Sequence, residues 1–259
     1  MCGVTAYSQG HAASVLRSQT WRTVDNSAAY LAPHLRADMR VLDVGCGPGT
    51  ITADLATRVG SVLGIDSDPG VVEKARALGV DARVGDVSAL PDGPFDVVHA
   101  HQVLLHLTDP VAALREMIRV TAPGGLVAVR DCDYAGVVLY PHDPRLDRWL
   151  AIYRGVARAH GTEPDAGRRV LAWAHAAGAG DVTPSASIWC HATPEERAWW
   201  GGQWAERIVD STIAERAVAG GFATREELAD VAAGWRHWAA HPDGWFSLPH
   251  GEVLIRVPR

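Results

Sequence analysis

Short apolar runs alternate with amphipathic stretches along the first half of the chain. The runs RVLDVG, SVLGID, VDARVGD, FDVVHA and LVAVRD have the length and apolar content of strands. Between them, TITADLATRV, PGVVEKARALG and DPVAALREMIRVTAPGG carry apolar residues at helical spacing, and Pro69 and Gly79 mark the start and stop of the second helix. This alternation predicts an α/β fold with a doubly wound, mostly parallel Rossmann-like sheet.

Outside this alternation the pattern is largely helical. Residues 1–38 predict a helical lead-in that acts as a lid, with Asp25 or Asn26 as a helix N-cap. DPRLDRWLAIYRGVARAHG predicts an extra amphipathic helix, AGRRVLAWAHAAG a core helix, and DVTPSASIWCHA and GEVLIRVPR two further strands. Between those two strands lies a helical, tryptophan-rich insertion. The predicted division is a lid at 1–38, a core at 39–193 and 247–259, and a substrate cap at 194–246.

Composition and charge narrow the class of partner. The 259-residue chain has a net charge of −6 and no basic block, which disfavours nucleic acid. Its start lacks the features of a signal peptide, and no apolar run is long enough to span a bilayer. The four cysteines are scattered, so neither a disulfide framework nor a zinc site is predicted. We therefore expect a cytoplasmic protein with no metal and no membrane partner.

The segment MRVLDVGCGPGT is a strand that breaks into a glycine-rich turn. Ligands of open α/β sheets bind beyond the carboxyl ends of the strands, where this turn lies. A dinucleotide site requires G-x-G-x-x-G, because its pyrophosphate meets a helix N-terminus. Here the spacing is G-x-G-x-G, and Asp43 precedes the first glycine by two residues, which suits a cationic ligand. S-Adenosylmethionine fits, since it carries a sulfonium and an ammonium group and no phosphate.

Two further acids end the next two strands. Asp66 lies about 20 residues after the start of the glycine turn, which is the offset of an acid that accepts from ribose hydroxyls. Its alternative role is a helix N-cap ahead of Pro69. Asp86 is placed to accept from an adenine amino group, with Val87 against the ring, or else to form an Asx turn. The ordered set of three acids predicts an adenosine site along one edge of the sheet.

The motifs VLDVGCGPGT, GID, GDVSALP, FDVVHAHQVLLHL and APGG resemble those of class I S-adenosylmethionine-dependent methyltransferases. The chain is most similar to the ubiquinone/menaquinone C-methyltransferase-like branch, over residues 14–131. The tryptophan-rich segment differs from the quinone methyltransferases. The resemblance implies S-adenosylmethionine as cofactor and S-adenosylhomocysteine as product.

The resemblance also assigns roles within the cofactor site. It implies that Asp43 and the Gly45–Gly47 backbone hold the methionine part. Asp66 would then hold the ribose, and Asp86 with Val87 the adenine. His101, expected just past the fourth strand, would lie near the transferable methyl group. The predicted cofactor-binding residues are Trp21, Asp43, Gly45, Cys46, Gly47, Gly49, Asp66, Ser67, Asp86, Val87 and His101.

Three residues are candidates for catalysis. An oxygen nucleophile must lose its proton, and His101 or His106 is placed to accept it if its pKa is near working pH. A packed or capping role is the alternative for His106, and His99 is predicted to be structural. Asp131 ends the fifth strand and either binds substrate or caps a turn. The sequence leaves O-, N- and C-methylation open.

Two aromatic or basic groups remain. His11, Arg17, Trp21 and Arg22 either contact the cofactor from the lid or only pack. The tryptophans between 199 and 245 either pack the insertion onto the sheet or wall a pocket for an aromatic or planar substrate.

Methyl transfer to a small organic molecule, such as a secondary metabolite or a quinone-like compound, is the function that these patterns favour. One alternative is a cofactor-binding protein of this fold that does not methylate, with a regulatory or cyclase-type role. Another is an NAD-dependent oxidoreductase, which the glycine spacing disfavours. A nucleic-acid or protein substrate is disfavoured by the acidic balance.

Overall fold

A computed structural model describes residues 19–259, which form two compact units. The sheet unit comprises residues 19–132, 166–187 and 250–259, and the tryptophan unit comprises residues 133–165 and 188–249. The predictions for His11, Arg17 and the lead-in before residue 19 lie outside the described residues. The sequence-based division differs, since it assigned residues 133–165 to the core and residues 19–38 to a lid.

Seven strands contribute to the sheet of the sheet unit. The strands of the described residues are β1 Arg40–Val44, β2 Ser61–Asp66, β3 Ala82–Val84, β4 Phe95–His101, β5 Thr121–Cys132, β6 Val138–Tyr140, β7 Asp181–His191 and β8 Trp245–Arg256, and the sheet unit contains all of β1 to β5 and parts of β7 and β8. Their order is β3-β2-β1-β4-β5-β8, with β1 to β5 parallel and β8 antiparallel to β5. β7 also pairs with β8. This arrangement confirms the predicted Rossmann-like sheet.

Helices fill the connections between these strands. The α-helices are α1 Val24–Ser27, α2 Thr50–Ala56, α3 Pro69–Ala77, α4 Pro110–Val120, α5 Pro144–Ala159, α6 Val170–Ala176, α7 Pro194–Arg207, α8 Thr212–Ala219 and α9 Arg225–Ala240. Between residues 19 and 259, no helix has both the length and the apolar character needed to cross a membrane.

The predicted N-cap of α1 is wrong, and the alternative role of Asp66 as a helix N-cap is not found either. The side chain of Thr23, rather than Asp25 or Asn26, caps α1, and Asn26 completes the capping box from the third helical position. The cap of α3 is Asp68, whose carboxylate accepts from the Val71 amide at 2.9 Å, and not Asp66. In both cases the true cap is the residue immediately before the first helical position.

The strands differ from prediction in two places. Helix α4 ends at Val120, and TAPGG belongs to β5 rather than to a turn, because Thr121 already pairs with Phe95 before the register shifts. The second difference is β6, which was not predicted. Its three residues are too few to show an alternating pattern, and pairing with β8 fixes them as a strand.

Successive residues of the central strands point to opposite faces of the sheet, and each face has its own core. Val41 and Leu42 illustrate this, because each belongs to a different cluster. One face packs against α4 and α6 through Leu114, Met117, Val170 and Ala174. The other face packs against α1 and α2 through Val24, Ile51 and Leu55.

The tryptophan unit is helical apart from β6, the last part of β7 and the first part of β8. In it, β6 pairs with β8 through Val138 and Ser247. Helices α7 and α9 approach closely at Gly201, where an added Cβ would lie 2.8 Å from the Ala239 Cβ. Capping boxes begin both helices, with Thr193 ahead of α7 and Thr224 ahead of α9. Helix α5 joins this unit because its Trp149 packs against aromatic rings of α7 and α9.

Candidate functional site

The glycine turn after β1 is built from left-handed backbone. Gly45, Gly47 and Gly49 have φ angles of 65°, 56° and 86°, a region that L-residues rarely adopt. A Cβ at Gly45 would lie 2.4 Å from a methyl group of Val103, and one at Gly49 would lie 2.7 Å from the Ala75 Cβ. Glycine is therefore required at these positions, and the turn presents bare backbone at the carboxyl edge of the sheet.

Cys46 takes part in this turn through its backbone. Its amide donates to the Ile65 carbonyl at 3.0 Å, which ties the turn to β2. Its thiol is buried in an apolar cluster with Val72 and Ala75, and burial raises the pKa of the thiol. The buried thiol of Cys46 is therefore not available to a ligand.

The Asp43 side chain contacts other side chains of the same chain. Its side chain is almost fully buried, and its two carboxylate oxygens contact the Thr52 hydroxyl at 2.6 Å and the His99 Nδ1 at 2.8 Å. These contacts join β1 to α2 and β4. This geometry does not support the expected direct contact of Asp43 with an amino group. It does agree with the structural role predicted for His99.

Asp66 lies at the end of β2 and is partly exposed. One carboxylate oxygen accepts from the Gly47 amide at 3.0 Å, and the other accepts from the Asp68 amide at 3.0 Å. The carboxylate thus connects the glycine turn to the loop that starts α3. Ser67 follows it and is exposed. A carboxylate oxygen has more than one lone pair, so Asp66 can still accept from a ligand hydroxyl.

Asp86 and Val87 lie just beyond β3 and are partly buried. The Asp86 carboxylate accepts from the Ser88 amide at 2.8 Å and begins a short 3-10 helix over Val87–Ala89. The Asx-turn alternative for Asp86 is therefore present in the structure. Val87 packs against the same apolar cluster as the inner strands.

A polar group gathers where β4 ends. His101 is the last residue of β4 and is buried, so its predicted position in the loop was wrong. Its ring stacks on His250 with centroids 6.2 Å apart. Gln102 lies 2.9 Å from the His250 Nε2 and accepts from the Arg22 guanidinium at 2.7 Å. Trp21 is the neighbour of Arg22 and is partly buried.

The sequence analysis missed Gln102 and His250. Gln102 has a φ of 54° directly after β4, but nothing in the sequence indicates this backbone conformation. His250 lies 148 residues further along the chain. The pairing of β8 with β5 brings it to the site, and only the folded sheet reveals that pairing.

Burial holds both candidate histidines neutral. Burial, with a smaller effect of the Arg22 charge, lowers the pKa of His106 to about 3. The same two causes, burial first, hold the pKa of His101 well below its usual range. The expectation of a histidine pKa near working pH is thus not met in the free protein.

Asp131 lies at the end of β5 and is fully buried. Its carboxylate accepts from the amides of Leu104 and Leu105 at 3.2 and 3.4 Å, which anchors the 3-10 helix Leu104–His106. Burial raises the pKa of Asp131 to about 8, although the two amide bonds oppose the rise. The geometry supports the turn-capping alternative for Asp131.

Replacing Asp131 with asparagine is expected to flatten the pH dependence of stability. The pKa of the carboxyl in the folded state, about 8, exceeds its ordinary value of 3.8, so between these values the native state binds more protons than the unfolded state. Stability then falls as pH rises through this window, by at most about 1.4 kcal/mol per pH unit. Thermal unfolding at pH 5.5, 6.5 and 7.5 should therefore show a steeper decline for the wild type than for Asp131→Asn.

The control for this measurement is Asp92→Asn, because the Asp92 side chain is 96% exposed. Its pH profile should follow that of the wild type. Parallel profiles for wild type and Asp131→Asn would show that Asp131 is already ionised in the folded state.

A buried ion pair lies beside the site and was also missed. The Arg130 guanidinium donates to Glu252 at 3.2 Å and to the Ser187 hydroxyl at 3.0 Å. Glu252 also accepts from the Ser185 hydroxyl at 2.7 Å. These contacts hold β5, β7 and β8 together. Among residues 19–259, no cluster of His, Cys, Asp and Glu side chains is arranged to hold a metal ion.

Comparison with known proteins identifies the family. The model of the methyltransferase domain family matches residues 35–204. An uncharacterized methyltransferase of Schizosaccharomyces pombe is 33% identical over 269 residues, with 96% of each chain covered. The chain therefore belongs to the methyltransferase domain family.

Solved structures agree with the fold. The YcgJ protein of Bacillus subtilis is 20% identical with a TM-score of 0.57, over 89% of this chain and 97% of that one. Phosphoethanolamine N-methyltransferase 2 of Haemonchus contortus was solved with S-adenosylhomocysteine. It is 17% identical with a TM-score of 0.53, over 87% of this chain and 50% of that one. At such identities the likeness confirms the Rossmann-like fold and no finer property.

The predicted ubiquinone/menaquinone branch of the family is supported only by matches to part of the chain. A demethylmenaquinone methyltransferase of Beutenbergia cavernae is 39% identical over 100 residues, which is 37% of this chain. The comparisons thus confirm the class I methyltransferase family and support the quinone branch only weakly.

Proposed function

We propose that this chain transfers a methyl group from S-adenosylmethionine to a small organic molecule in the cytoplasm. The observation that carries the proposal is the left-handed glycine turn bonded to Asp66, in a member of the methyltransferase family. A turn whose three glycines leave their backbone bare fits close approach by a ligand, and an acid at the next strand end fits a ribose. The absence of G-x-G-x-x-G argues against a nicotinamide dinucleotide.

The residues at the carboxyl edge then have distinct roles. The backbone of Gly45–Gly49 holds the amino-acid part, Asp66 with Ser67 accepts from the ribose hydroxyls, and Asp86 with Val87 holds the adenine. Bound S-adenosylmethionine supplies an electrophilic methyl group. Asp43 acts as a positioning residue, because its bonds to Thr52 and His99 fix the start of the turn.

The polar group at the end of β4 is proposed to face the acceptor. His101 is neutral at working pH, so it can accept a hydrogen bond or a proton from an acceptor hydroxyl during transfer. Gln102, His250 and Arg22 hold its surroundings in place. His106 and Asp131 serve the same edge by fixing the 3-10 helix after β4. The low pKa of both histidines favours acceptors that ionise easily, such as phenols, enols or acids.

We propose an aromatic or planar acceptor, as in a secondary metabolite or a quinone-like compound. The support is the aromatic content of the tryptophan unit, since aromatic side chains commonly line sites for planar ligands. Trp149, Trp204 and Trp235 are themselves fully buried among other rings and pack the core of this unit.

A transfer assay tests the proposal. The protein is incubated with methyl-labelled S-adenosylmethionine and a small-molecule extract of its own host, and labelled products are found by mass spectrometry. We expect one labelled small metabolite and an equal amount of S-adenosylhomocysteine. Tight cofactor binding without any labelled product would favour the non-methylating alternative. Neither binding nor label would refute the proposal, and binding of NADH would favour an oxidoreductase.

A further inference from the structure

The segment after β3 is anchored at both of its ends. At its start, the Gly85 amide donates to the Asp66 carbonyl at 3.0 Å, so the segment begins beside the proposed ribose acid. At its end, the Leu90 side chain is buried in the apolar cluster that packs α4 against the sheet. Asp86 and the 3-10 helix Val87–Ala89 lie between the two anchors, and we call residues 85–90 the adenine segment.

Two side chains of α4 hold the backbone of Leu90. The Glu116 carboxylate accepts from the Leu90 amide at 3.0 Å, and the Arg119 guanidinium donates to the Leu90 carbonyl at 3.3 Å. Leu90 belongs to no helix or strand, and the backbone N–H and C=O groups of a buried residue need hydrogen-bond partners. Glu116 and Arg119 supply both partners, as a neighbouring strand would in a sheet.

Glu116 and Arg119 also form a bidentate ion pair, and we call the two residues the clamp. They lie three residues apart on one face of α4, and the Arg119 Nε and Nη2 atoms donate to the two carboxylate oxygens at 2.7 and 2.8 Å. The hydrogen bonds from Arg119 hold the pKa of Glu116 below its usual range, so the carboxylate is ionised at neutral pH. A bidentate pair has a defined geometry, so the clamp offers its two groups to Leu90 in a fixed arrangement.

The main effect of the clamp is on the direction of the chain at Leu90. Exposed ion pairs contribute little to stability, and the Arg119 side chain is half-exposed. Apolar contacts of the Leu90 side chain are non-directional, whereas the two hydrogen bonds to its backbone set its orientation. The 3-10 helix begins three residues earlier and carries this orientation to Asp86, whose carboxylate accepts from the Ser88 amide at 2.8 Å.

We propose that Glu116 and Arg119 are positioning residues for the adenine base of the cofactor. Through Leu90 they hold the adenine segment so that the Asp86 carboxylate meets the adenine amino group and Val87 lies against the ring. This inference rests on the proposed function, since the contact of Asp86 with adenine is part of that proposal. It assigns the selectivity for adenine to an ion pair on α4, outside the residues that contact the cofactor.

Calorimetric titration of the full chain tests the proposal with two probes, S-adenosylhomocysteine and S-inosylhomocysteine. In the second probe a carbonyl oxygen replaces the adenine amino group. An ionised carboxylate only accepts hydrogen bonds, so Asp86 binds the amino group and repels the oxygen. We expect the wild type to bind the adenine probe at least about tenfold more tightly, which is the effect of one hydrogen bond to a charged group. In Glu116→Ala, which releases Leu90, this preference should fall to about twofold or less, because that hydrogen bond is no longer held in place.

Further variants show whether Glu116 acts through Asp86. Asp86→Ala should lose the preference for the adenine probe. The double variant with Glu116→Ala should lose no more than Asp86→Ala alone, because the effects of two residues that act through one contact do not add. Glu116→Gln keeps an oxygen that accepts from the Leu90 amide, so it should retain a preference of about fivefold.

The matched control is Glu73→Ala. Glu73 pairs with Arg76 at the same spacing on α3, and its side chain is 68% exposed. Its substitution removes the same charge and should leave the preference unchanged, as expected for a surface change. A loss of stability alone would not alter the preference, because both probes are titrated into the same protein and unfolding weakens the binding of both equally.

The outcomes separate this inference from the proposed function. A preference that is lost in Glu116→Ala and kept in Glu116→Gln and Glu73→Ala would support the clamp. A preference that survives in Glu116→Ala, or that Glu73→Ala also loses, would overturn the clamp and leave the proposed function standing. A wild type that binds both probes equally would overturn the clamp and the role of Asp86, and one that binds neither would overturn the proposed function as well.

Discussion

Replacing Asp66 with alanine is expected to weaken S-adenosylmethionine binding about 100-fold or more and to reduce kcat/KM by at least as much. The substitution removes the proposed acceptor for the ribose hydroxyls, and hydrogen bonds to a charged group contribute about 1.5–3 kcal/mol each. It also removes the acceptor of the Gly47 amide, so the glycine turn loses a contact that fixes its shape. Calorimetry with S-adenosylmethionine gives the affinity, and the transfer assay gives the rate.

Asp81→Ala is the control for this experiment. Asp81 is exposed and precedes β3, so it lies at the opposite edge of the sheet and loses the same charge on substitution. Its affinity should remain within about twofold of the wild type, as expected for a surface change. An Asp66→Ala protein that retains wild-type affinity would exclude Asp66 from the cofactor site.

Replacing Gly251 with alanine is expected to destabilise the sheet unit severely. An added Cβ would lie 1.8 Å from the Gly167 carbonyl oxygen and 2.5 Å from its carbonyl carbon. Both are backbone atoms, so no side-chain rotation relieves the clash. Gly251 pairs with Asp131 in the sheet, so β8 cannot move away without breaking its pairing with β5. We expect a loss of about 3 kcal/mol or more in the free energy of unfolding.

Gly180→Ala is the matched control, because no atom lies within 4 Å of the Cβ that it would add. Chemical unfolding of both variants and the wild type measures the effect. Gly180→Ala should differ from the wild type by about 0.5 kcal/mol at most. A Gly251→Ala protein as stable as the control would mean that β8 and residue 167 are further apart in solution than in this structure.

The parts of the fold and site that could be predicted are those with local causes. The strand–helix alternation is a property of neighbouring residues, and it placed Asp43, Asp66 and Asp86 at three successive strand ends. The glycine turn was predictable for the same reason, since left-handed backbone favours glycine and the spaced glycines are visible in the sequence. The predicted N-cap of α1 was wrong because Thr23, Asp25 and Asn26 are all good capping residues, and the sequence pattern alone does not choose between them.

The parts that could not be predicted depend on contacts between distant residues. Gln102 meets His250, and Arg130 meets Glu252, only because β8 pairs antiparallel with β5. The depressed pKa of His106 likewise follows from burial, which a single sequence does not reveal. The grouping of α5 with the tryptophan-rich helices is a further example, because it rests on ring contacts of Trp149.

The uneven distribution of tryptophan between the two units gives the protein a built-in optical reporter. Trp21 and Trp173 lie in the sheet unit, whereas the tryptophan unit holds Trp149, Trp189, Trp199, Trp200, Trp204, Trp235, Trp238 and Trp245. Intrinsic fluorescence and near-ultraviolet circular dichroism therefore follow mainly one unit, while far-ultraviolet circular dichroism follows the backbone of both. Coincident unfolding curves from these signals would mean that the units melt as one cooperative system, and separated curves would give each its own stability.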